Sequence, residues 1–298
     1  MKKLTAFALC LVMTASLLAG CGGQSGGTTD ETSESGNKVV RIGVYEPQTG
    51  DNGAGGKQEI LGMQYANYVQ PTVEIGGETY DVKLEIVDNR TTPENGPTAA
   101  AELVNRDVSI VLGSYGSGVS MAGGKVFEEA GVPAIGVTCT NPQVTSDYDC
   151  YFRICFTDPF QGPALASYAY ESLGVTTAYT LAMLGSDYDQ GLVHYFTEAF
   201  EALGGEVVEV NFQTGETDFS GTMASLASQG IEAIFAPTSI ETAPFIIKQA
   251  REAGINGCIL ASDTWDDVSI IQRVVEAGAS IDGVYFSTFF IEGDDTNP

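Results

Sequence analysis

The sequence predicts an α/β fold made of two doubly wound parallel-sheet lobes joined by a hinge. From Val39 onward, short apolar runs rich in β-branched residues alternate with longer amphipathic stretches, as in strand–helix–strand units. Many of the amphipathic stretches end at a glycine followed at once by an apolar run, as in "EEAGVPAI". The strands are too many for one small sheet, and Asp158-Pro159 interrupts their series, so two lobes are expected.

The strands and helices follow from local patterns. The predicted strands, in chain order, are "VVRIGVY", "VKLEIVD", "VSIVLG", "VPAIGV", "CYFRICF", "AYTLAML", "EVVEVNF", "IEAIFAP", "NGCILAS" and "IDGVYFS". A helix is predicted for "TAPFIIKQAREAG", because Ile246, Ile247, Ala250 and Ala253 fall on one helical face. Right-handed crossovers wind such units into a sheet covered on both faces, with ligands at the carboxyl ends of its strands.

The first residues are predicted to be a targeting segment. Two lysines precede an apolar run from Leu4 to Leu18 that is too short to span a membrane, so residues 1–20 are interpreted as a signal peptide. The "LAGC" that follows resembles the bacterial lipobox, which implies that Cys21 carries a lipid anchor. Residues 21–37 contain no large apolar side chain and are predicted to form a flexible tether. The alternative is a chance cysteine at the end of a cleaved signal.

The remaining chain is divided between the two lobes. We assign residues 38–157 and 288–298 to lobe 1 and residues 158–287 to lobe 2, with the chain crossing near Asp158 and near Thr288. No later apolar run is long enough to span a bilayer.

Composition excludes several functions. With 39 acidic and 13 basic residues, the formal net charge is −26, which repels nucleic acid and attracts cations. The only histidine is His194, and no CxxC pair or Cys/His cluster is present, so neither a zinc site nor a histidine-based triad is expected. No cofactor or metal is predicted. Spacing leaves open whether disulfides form among Cys139, Cys150, Cys155 and Cys258.

The stretch "GSYGSGVS" places Tyr115 and Ser117 among glycines directly after a strand and before a helix. It lacks the GxGxxG spacing, the lysine of a P-loop and the GxSxG nucleophile elbow. A backbone-rich anion socket at a helix N-terminus is therefore predicted. The alternative is a plain glycine turn whose serine caps the helix.

The next strand end offers two more hydroxyl groups. Thr138 and Thr140 follow "VPAIGV" and are expected opposite Ser117, where they would converge on a small anion. Thr140-Asn141-Pro142 is also ordinary turn chemistry, and the sequence leaves both interpretations open.

Acidic and aromatic residues end two strands of the second lobe. Asp187, Tyr188 and Asp189 follow "LAMLGS", and Asp263 follows "CILAS" two residues before Trp265, the only tryptophan. A carboxylate beside an aromatic ring suits an ammonium group, through charge and cation–π attraction. The alternative is that Asp263 is a helix N-cap and that Trp265 only packs there.

Several stretches together resemble the substrate-binding proteins of branched-chain amino-acid ABC transporters, the leucine/isoleucine/valine-binding family with the type I periplasmic-binding fold. The similarity runs from Val39 to Phe290, and its most specific parts are "FRICFTDPFQG" and "TGETDFS". The resemblance implies that Ser117 and its loop, which includes Tyr115, hold a ligand α-carboxylate together with Thr138 and Thr140. It implies that Asp263 holds the α-ammonium and that Tyr188 covers the ligand.

Two departures from the family pattern stand out. "APTSIETAP" lacks a tyrosine that some members place against the ligand, and Ser239 or Ile240 stands near that position. Family members also continue past the segment matching "VYFSTFFIEGDD", so the resemblance predicts that lobe 1 is incomplete at the C-terminus of this chain.

The resemblance implies an extracytoplasmic, monomeric receptor that captures an amino acid, branched-chain or otherwise small and apolar. Its partners would be an ABC permease with ATPase subunits and the membrane, through the lipid anchor; nucleic acid is not expected. An alternative is a ligand-binding sensor for amino acids or small amides that feeds a signalling partner. An enzyme is disfavoured, because no histidine lies at a strand end to act as a general base near Ser117.

Overall fold

The computed structural model describes Ser33 and residues 35–291. The chain divides into two units, residues 1–39 and residues 40–298. The predicted signal peptide, Cys21 and most of the predicted tether lie outside the described residues, as do residues 292–298 of the segment assigned to lobe 1.

The first lobe contains a six-stranded sheet with the order β2-β3-β1-β4-β5-β6. Its strands are β1 Lys38–Glu46, β2 Thr72–Ile75, β3 Glu78–Asp88, β4 Ile110–Leu112, β5 Ala134–Gly136 and β6 Tyr151–Arg153. The pairs β1/β4, β4/β5 and β5/β6 are parallel, whereas β2 pairs antiparallel with β3. Strand β2 was not predicted. It reaches β3 through Gly76 and Gly77, whose φ angles of 61° and 85° suit a tight turn.

The second lobe contains a five-stranded sheet with the order β11-β10-β9-β7-β8. Its strands are β7 Thr177–Met183, β8 Glu206–Phe212, β9 Ala233–Phe235, β10 Cys258–Ala261 and β11 Val284–Phe286. All four neighbouring pairs are parallel. The predicted fold class of two lobes built on parallel sheets is confirmed, with the β2–β3 hairpin as an addition to it.

Helices connect the strands in both lobes. They are α1 Gly53–Val69, α2 Gly96–Asn105, α3 Ser117–Ala130, α4 Gln143–Ser146, α5 Asp158–Ser167, α6 Asp187–Ala202, α7 Ser220–Ser228, α8 Ala243–Glu252 and α9 Val268–Glu276. A π-helical turn, Tyr168–Ser172, extends α5, and a 3₁₀ turn, Asp263–Trp265, precedes α9. Within the described part of the chain, no helix combines the length and apolar character needed to cross a membrane.

Glycines end helices where the sequence predicted. Gly131 follows α3 with φ 68°, and the amide of Val132 then donates to the carbonyl of Phe127 at 2.9 Å. Gly254 follows α8 with φ 80°, and the amide of Ile255 donates to the carbonyl of Ala250 at 3.0 Å. In both cases the left-handed glycine turns the chain directly into the next strand.

The second sheet is covered on both faces. Neighbouring residues of β9 point to opposite sides, so Ile234 packs in one hydrophobic cluster and Phe235 in another. On the Phe235 side, the ring of Phe196 from α6 stacks at a centroid distance of 4.2 Å. The predicted boundary at Asp158 falls on the first residue of α5, which packs against α6.

Candidate functional site

A cavity of about 400 Å³ lies between the strand ends of the two lobes. Loops that follow the carboxyl ends of strands supply its walls, as expected for parallel α/β sheets. Lining residues from successive loops include Asp51, Thr92, Ser117, Thr138, Asp187, Thr214, Ser239 and Asp263. The lobes touch across this cleft: Tyr115 of the first lobe packs within a hydrophobic cluster of the second.

The cavity gathers six of the seven residues predicted from sequence. Tyr115, Ser117, Thr138, Tyr188, Ser239 and Asp263 line it. Thr140 is fully buried and is not part of the cavity wall, so its place in the site stays a prediction.

The wall of the first lobe is built on the start of α3. The helix begins at Ser117, and the preceding Gly116 has φ 111°, a conformation that favours glycine. No side chain caps this end, and the Ser117 hydroxyl instead accepts a 3.2 Å hydrogen bond from the amide of Asn141. The alternative that Ser117 caps the helix is therefore wrong. Its hydroxyl hydrogen and the first amides of α3 are available for an anion.

The loop after β5 is an ordered turn that also joins the two lobes. The side-chain oxygen of Asn141 accepts the amide of Gln143 at 3.0 Å, which is the turn chemistry that the sequence left open. Its amide nitrogen donates to the carbonyl of Asp187 across the cleft at 3.0 Å. The guanidinium of Arg153 holds the loop by donating to the carbonyl oxygens of Cys139 and Asn141 at 2.9 and 2.8 Å.

The wall of the second lobe presents the Asp263 carboxylate, and Asp263 is only 9% exposed. Its Oδ1 accepts hydrogen bonds from the Tyr188 hydroxyl and the Gln161 amide, each at 2.7 Å. Burial raises the pKa of Asp263 to about 6, and these two hydrogen bonds oppose the rise. The N-cap of α9 is Asp267, which accepts the amide of Ser269, so the alternative of Asp263 as that cap is wrong.

The tryptophan does not take the role predicted for it. Trp265 is 2% exposed in the core of the second lobe and donates its indole hydrogen to the carbonyl of Thr238. Successive residues of the 3₁₀ turn differ in direction by about 120°, so Asp263 and Trp265 point to different sides. Tyr188 is the aromatic residue in contact with Asp263.

Charge in the cleft is one-sided. Among its described lining residues there is no lysine, arginine or histidine, and the carboxylates are those of Asp51, Glu94, Asp187, Asp189 and Asp263. Burial raises the pKa of Asp189 to about 7 and also raises that of Asp187. Three of these five carboxylates, those of Asp187, Asp189 and Asp263, belong to the second lobe, whose wall therefore favours a cationic group over an anionic one.

Sequence reasoning missed Gln161. This residue is 1% exposed in α5, and its amide donates to both Asp263 and Ser287. It lies in "FRICFTDPFQG", which carried the family resemblance, but nothing local to that stretch shows that its amide reaches a residue 102 positions later. Glu59 was also missed: it accepts the hydroxyl hydrogen of Thr138.

Neither a disulfide nor a metal site is found in the described part of the chain. The four cysteines in this part are free. Cys139, which lies between Thr138 and Thr140 in the sequence, is buried. No group of three or more His, Cys, Asp or Glu side chains within residues 35–291 is arranged to hold a metal ion.

Two parallel α/β lobes that close their strand ends on one polar cleft define a two-lobed binding protein. Residues 39–298 match the family model described as periplasmic binding protein, and the chain belongs to this family. Members of this family bind solutes.

Curated relatives carry amino-acid-binding names. The chain is 30% identical to an amino acid binding protein of Pseudomonas aeruginosa, in a match covering 75% of this chain and 60% of that protein. It is 27% identical to Leu/Ile/Val-binding protein homolog 3 of Brucella melitensis, which covers 75% of this chain and 61% of the relative. The match thus spans about three-fifths of the length of these relatives.

Solved structures agree in fold. The leucine binding protein LivK of Thermotoga maritima superposes with a TM-score of 0.81 at 34% identity, covering 87% of this chain and 73% of that one. The branched-chain amino acid transporter substrate binding protein LivJ of Streptococcus pneumoniae, in complex with isoleucine, superposes with a TM-score of 0.77 at 27% identity. The match covers 86% of this chain and 73% of that one.

Proposed function

We propose that this protein captures an amino acid between its two lobes and delivers it, from outside the cytoplasm, to an ABC permease. One observation carries the proposal: the cleft opposes a buried carboxylate, Asp263, to a wall of uncharged donors at Ser117 and the start of α3. The names of the relatives, which refer to amino-acid, leucine and branched-chain binding, support the same function.

A zwitterion matches both walls of the cleft. The α-carboxylate would accept the Ser117 hydroxyl and the free amides of α3, where the helix dipole favours negative charge. The α-ammonium would pair with Asp263, whose position is held by Tyr188 and Gln161. A carboxylic acid without the amino group would leave Asp263 buried against nothing positive, which costs several kcal/mol.

The remaining lining suits a branched-chain or other small apolar side chain. Val119, Met183, Leu184 and Phe212 supply apolar surface to the cavity. Ser239 lines the cavity, and Ser239 or Ile240 stands near the position where some family members have a tyrosine. A serine side chain there would leave more room for the ligand than a tyrosine.

Anchoring and transport complete the proposal. Lipidation at Cys21 would hold the protein at the membrane surface, close to the permease, and the permease's ATPase subunits would supply the energy. The relative from Streptococcus pneumoniae is described as a transporter substrate binding protein, which supports a transport role.

Calorimetric titration tests the proposed ligand. L-leucine, L-isoleucine and L-valine are compared with 4-methylpentanoate, which has the shape of leucine without its amino group. We expect at least one amino acid to bind and 4-methylpentanoate to bind far more weakly. A bound ligand at 100 times its Kd should also stabilise the protein by about 2.7 kcal/mol in thermal unfolding. Equal binding of leucine and 4-methylpentanoate would contradict the proposal.

A further inference from the structure

Two glutamates behind the first-lobe wall of the cleft have their carboxyl groups in contact. Glu46, the last residue of β1, has no exposed surface, and its Oε2 accepts the amide hydrogen of Tyr115 at 2.7 Å. Glu59 of α1 uses Oε1 to accept the hydroxyl hydrogen of Thr138. The two carboxyl groups also interact directly, since each acts on the pKa of the other as a side-chain partner.

The remaining oxygens of the pair have no other donor. Oε1 of Glu46 and Oε2 of Glu59 are covered from solvent, and no amide, hydroxyl or cationic group of the described chain donates to them. A contact between two carboxyl groups is attractive only when one of them carries a proton, because two buried carboxylates repel strongly. One proton held between the two groups would give these oxygens a donor and remove the repulsion.

Among the residues that the structure describes, no cation is placed to replace that proton. Six titratable groups around the pair interact electrostatically with Glu46 or Glu59, and none of them is a cation. They are Tyr45, Tyr115, Cys139, Tyr151, Cys155 and Asp263. The nearby Arg153 directs its guanidinium to the carbonyl oxygens of the loop after β5. Burial raises the pKa of both Glu46 and Glu59, and for Glu46 the charge of Glu59 adds to the rise.

We propose that Glu46 and Glu59 share one proton and, as a pair, position the two first-lobe loops that line the cleft. Glu46 holds the loop before α3 through the Tyr115 amide, and Glu59 holds the loop after β5 through Thr138. The pair is thus a continuous hydrogen-bonded link between the loops. Both glutamates are positioning residues, and this role in ligand binding rests on the function proposed above.

The shared proton should make the stability of the folded protein depend on pH in a definite direction. A carboxyl pair that retains a proton in the folded state, where the unfolded chain has lost it, binds one more proton when folded. Stability then falls as pH rises from the ordinary glutamate range through the raised pKa of the pair. Within that range, one extra bound proton changes the unfolding equilibrium constant tenfold per pH unit.

Replacing Glu59 with glutamine tests the pair in the ligand-free protein. The glutamine amide can donate to Glu46 while its oxygen accepts from Thr138, so Glu59→Gln keeps the link without needing a proton. Unfolding is measured in denaturant from pH 6 to pH 9 for both proteins. We expect the wild-type unfolding constant to rise with pH more steeply than the variant's, by up to tenfold per unit below the raised pKa of the pair. Glu129→Gln, at an exposed position of α3, is the matched control and should keep the wild-type slope.

Equal slopes for wild type and Glu59→Gln would overturn the shared proton. Glu46→Gln provides an independent variant, and we expect it to lose the same pH dependence. A measurement without any variant is ¹³C NMR of glutamate-labelled wild-type protein. One carboxyl carbon should keep the chemical shift of a protonated acid at pH values above the ordinary glutamate range, and the absence of such a signal would also overturn the proposal.

Titration with L-leucine over the same pH range tests the positioning role. We expect affinity to fall with rising pH more steeply for wild type than for Glu59→Gln, since titration of the ligand itself is common to both. Identical profiles would overturn the positioning role. If wild-type protein binds no amino acid, the proposed function is contradicted, while the unfolding slopes and the NMR signal still decide whether the proton is shared.

Discussion

The hydroxyl of Tyr188 donates a 2.7 Å hydrogen bond to Oδ1 of Asp263. The two residues follow different strands, β7 and β10, and meet at the wall of the cleft. The bond fixes the direction of a buried carboxylate before any ligand arrives, so binding does not have to order this side chain. A preoriented, desolvated charge is the feature that should discriminate most strongly between ligands.

Removing the charge of Asp263 tests its assigned partner. Asp263→Asn keeps the volume but loses a charge-assisted bond to the ligand ammonium, so L-leucine affinity should fall by about 1.5–3 kcal/mol, or roughly 10- to 150-fold. Tyr188→Phe removes only one orienting hydrogen bond and should cost less. Calorimetric titration measures both, and undiminished binding by Asp263→Asn would show that another group holds the ammonium.

Ligand affinity should fall in acid. Burial raises the pKa of Asp263 to about 6, and the ligand ammonium needs the ionised carboxylate. Below about pH 6 the affinity should therefore fall by up to tenfold per pH unit. In the ligand-free protein, the same raised pKa makes stability change with pH in the opposite direction to ligand affinity. The contribution of Asp263 to stability is lost as pH rises from about 4 to about 6. This loss of affinity below about pH 6 should be absent in Asp263→Asn. If the variant still loses affinity in acid, another group is responsible for the effect.

Close approach of the lobes should be sensitive to one glycine. A Cβ added at Gly118 would lie 2.6 Å from Oδ2 of Asp187 on the opposite lobe. Gly118→Ala should oppose closure and weaken binding by about 1 kcal/mol, roughly fivefold, while the helix itself is not destabilised. Gly62→Ala is the control, since a Cβ there meets nothing within 4 Å, and its affinity should equal that of wild type. Equal affinities for all three proteins would mean that closure tolerates the added methyl group.

Membrane attachment should depend on Cys21, which lies outside the described residues. Cys21→Ser removes the sulfur to which a lipid would be attached, so the protein should leave the membrane fraction or remain unprocessed. Fractionation and gel migration compare the variant with the parent. A variant that behaves as the parent does would contradict lipid anchoring.

The sequence by itself determined the repeating strand–helix units and most of the strands. Hydrophobic period and helix-ending glycines such as Gly131 and Gly254 are local signals, and local backbone preference decides where such elements begin and end. The same signals placed Ser117 and Asp263 at strand ends, and parallel sheets bring strand ends to one cleft. Strand β2 was missed because it is short and partly exposed, although Gly76-Gly77 was a hairpin signal.

Only the tertiary structure decided which side chains meet at the cleft. The 3₁₀ turn directs Asp263 to the cleft and Trp265 to the core, a choice that residue spacing did not reveal. Gln161 and Asp263 are 102 positions apart, and Glu59 and Thr138 are 79 apart, so no local period relates them. Such pairs form because packing buries polar atoms together, and a buried polar atom must then find its partner in whichever element the fold has placed beside it.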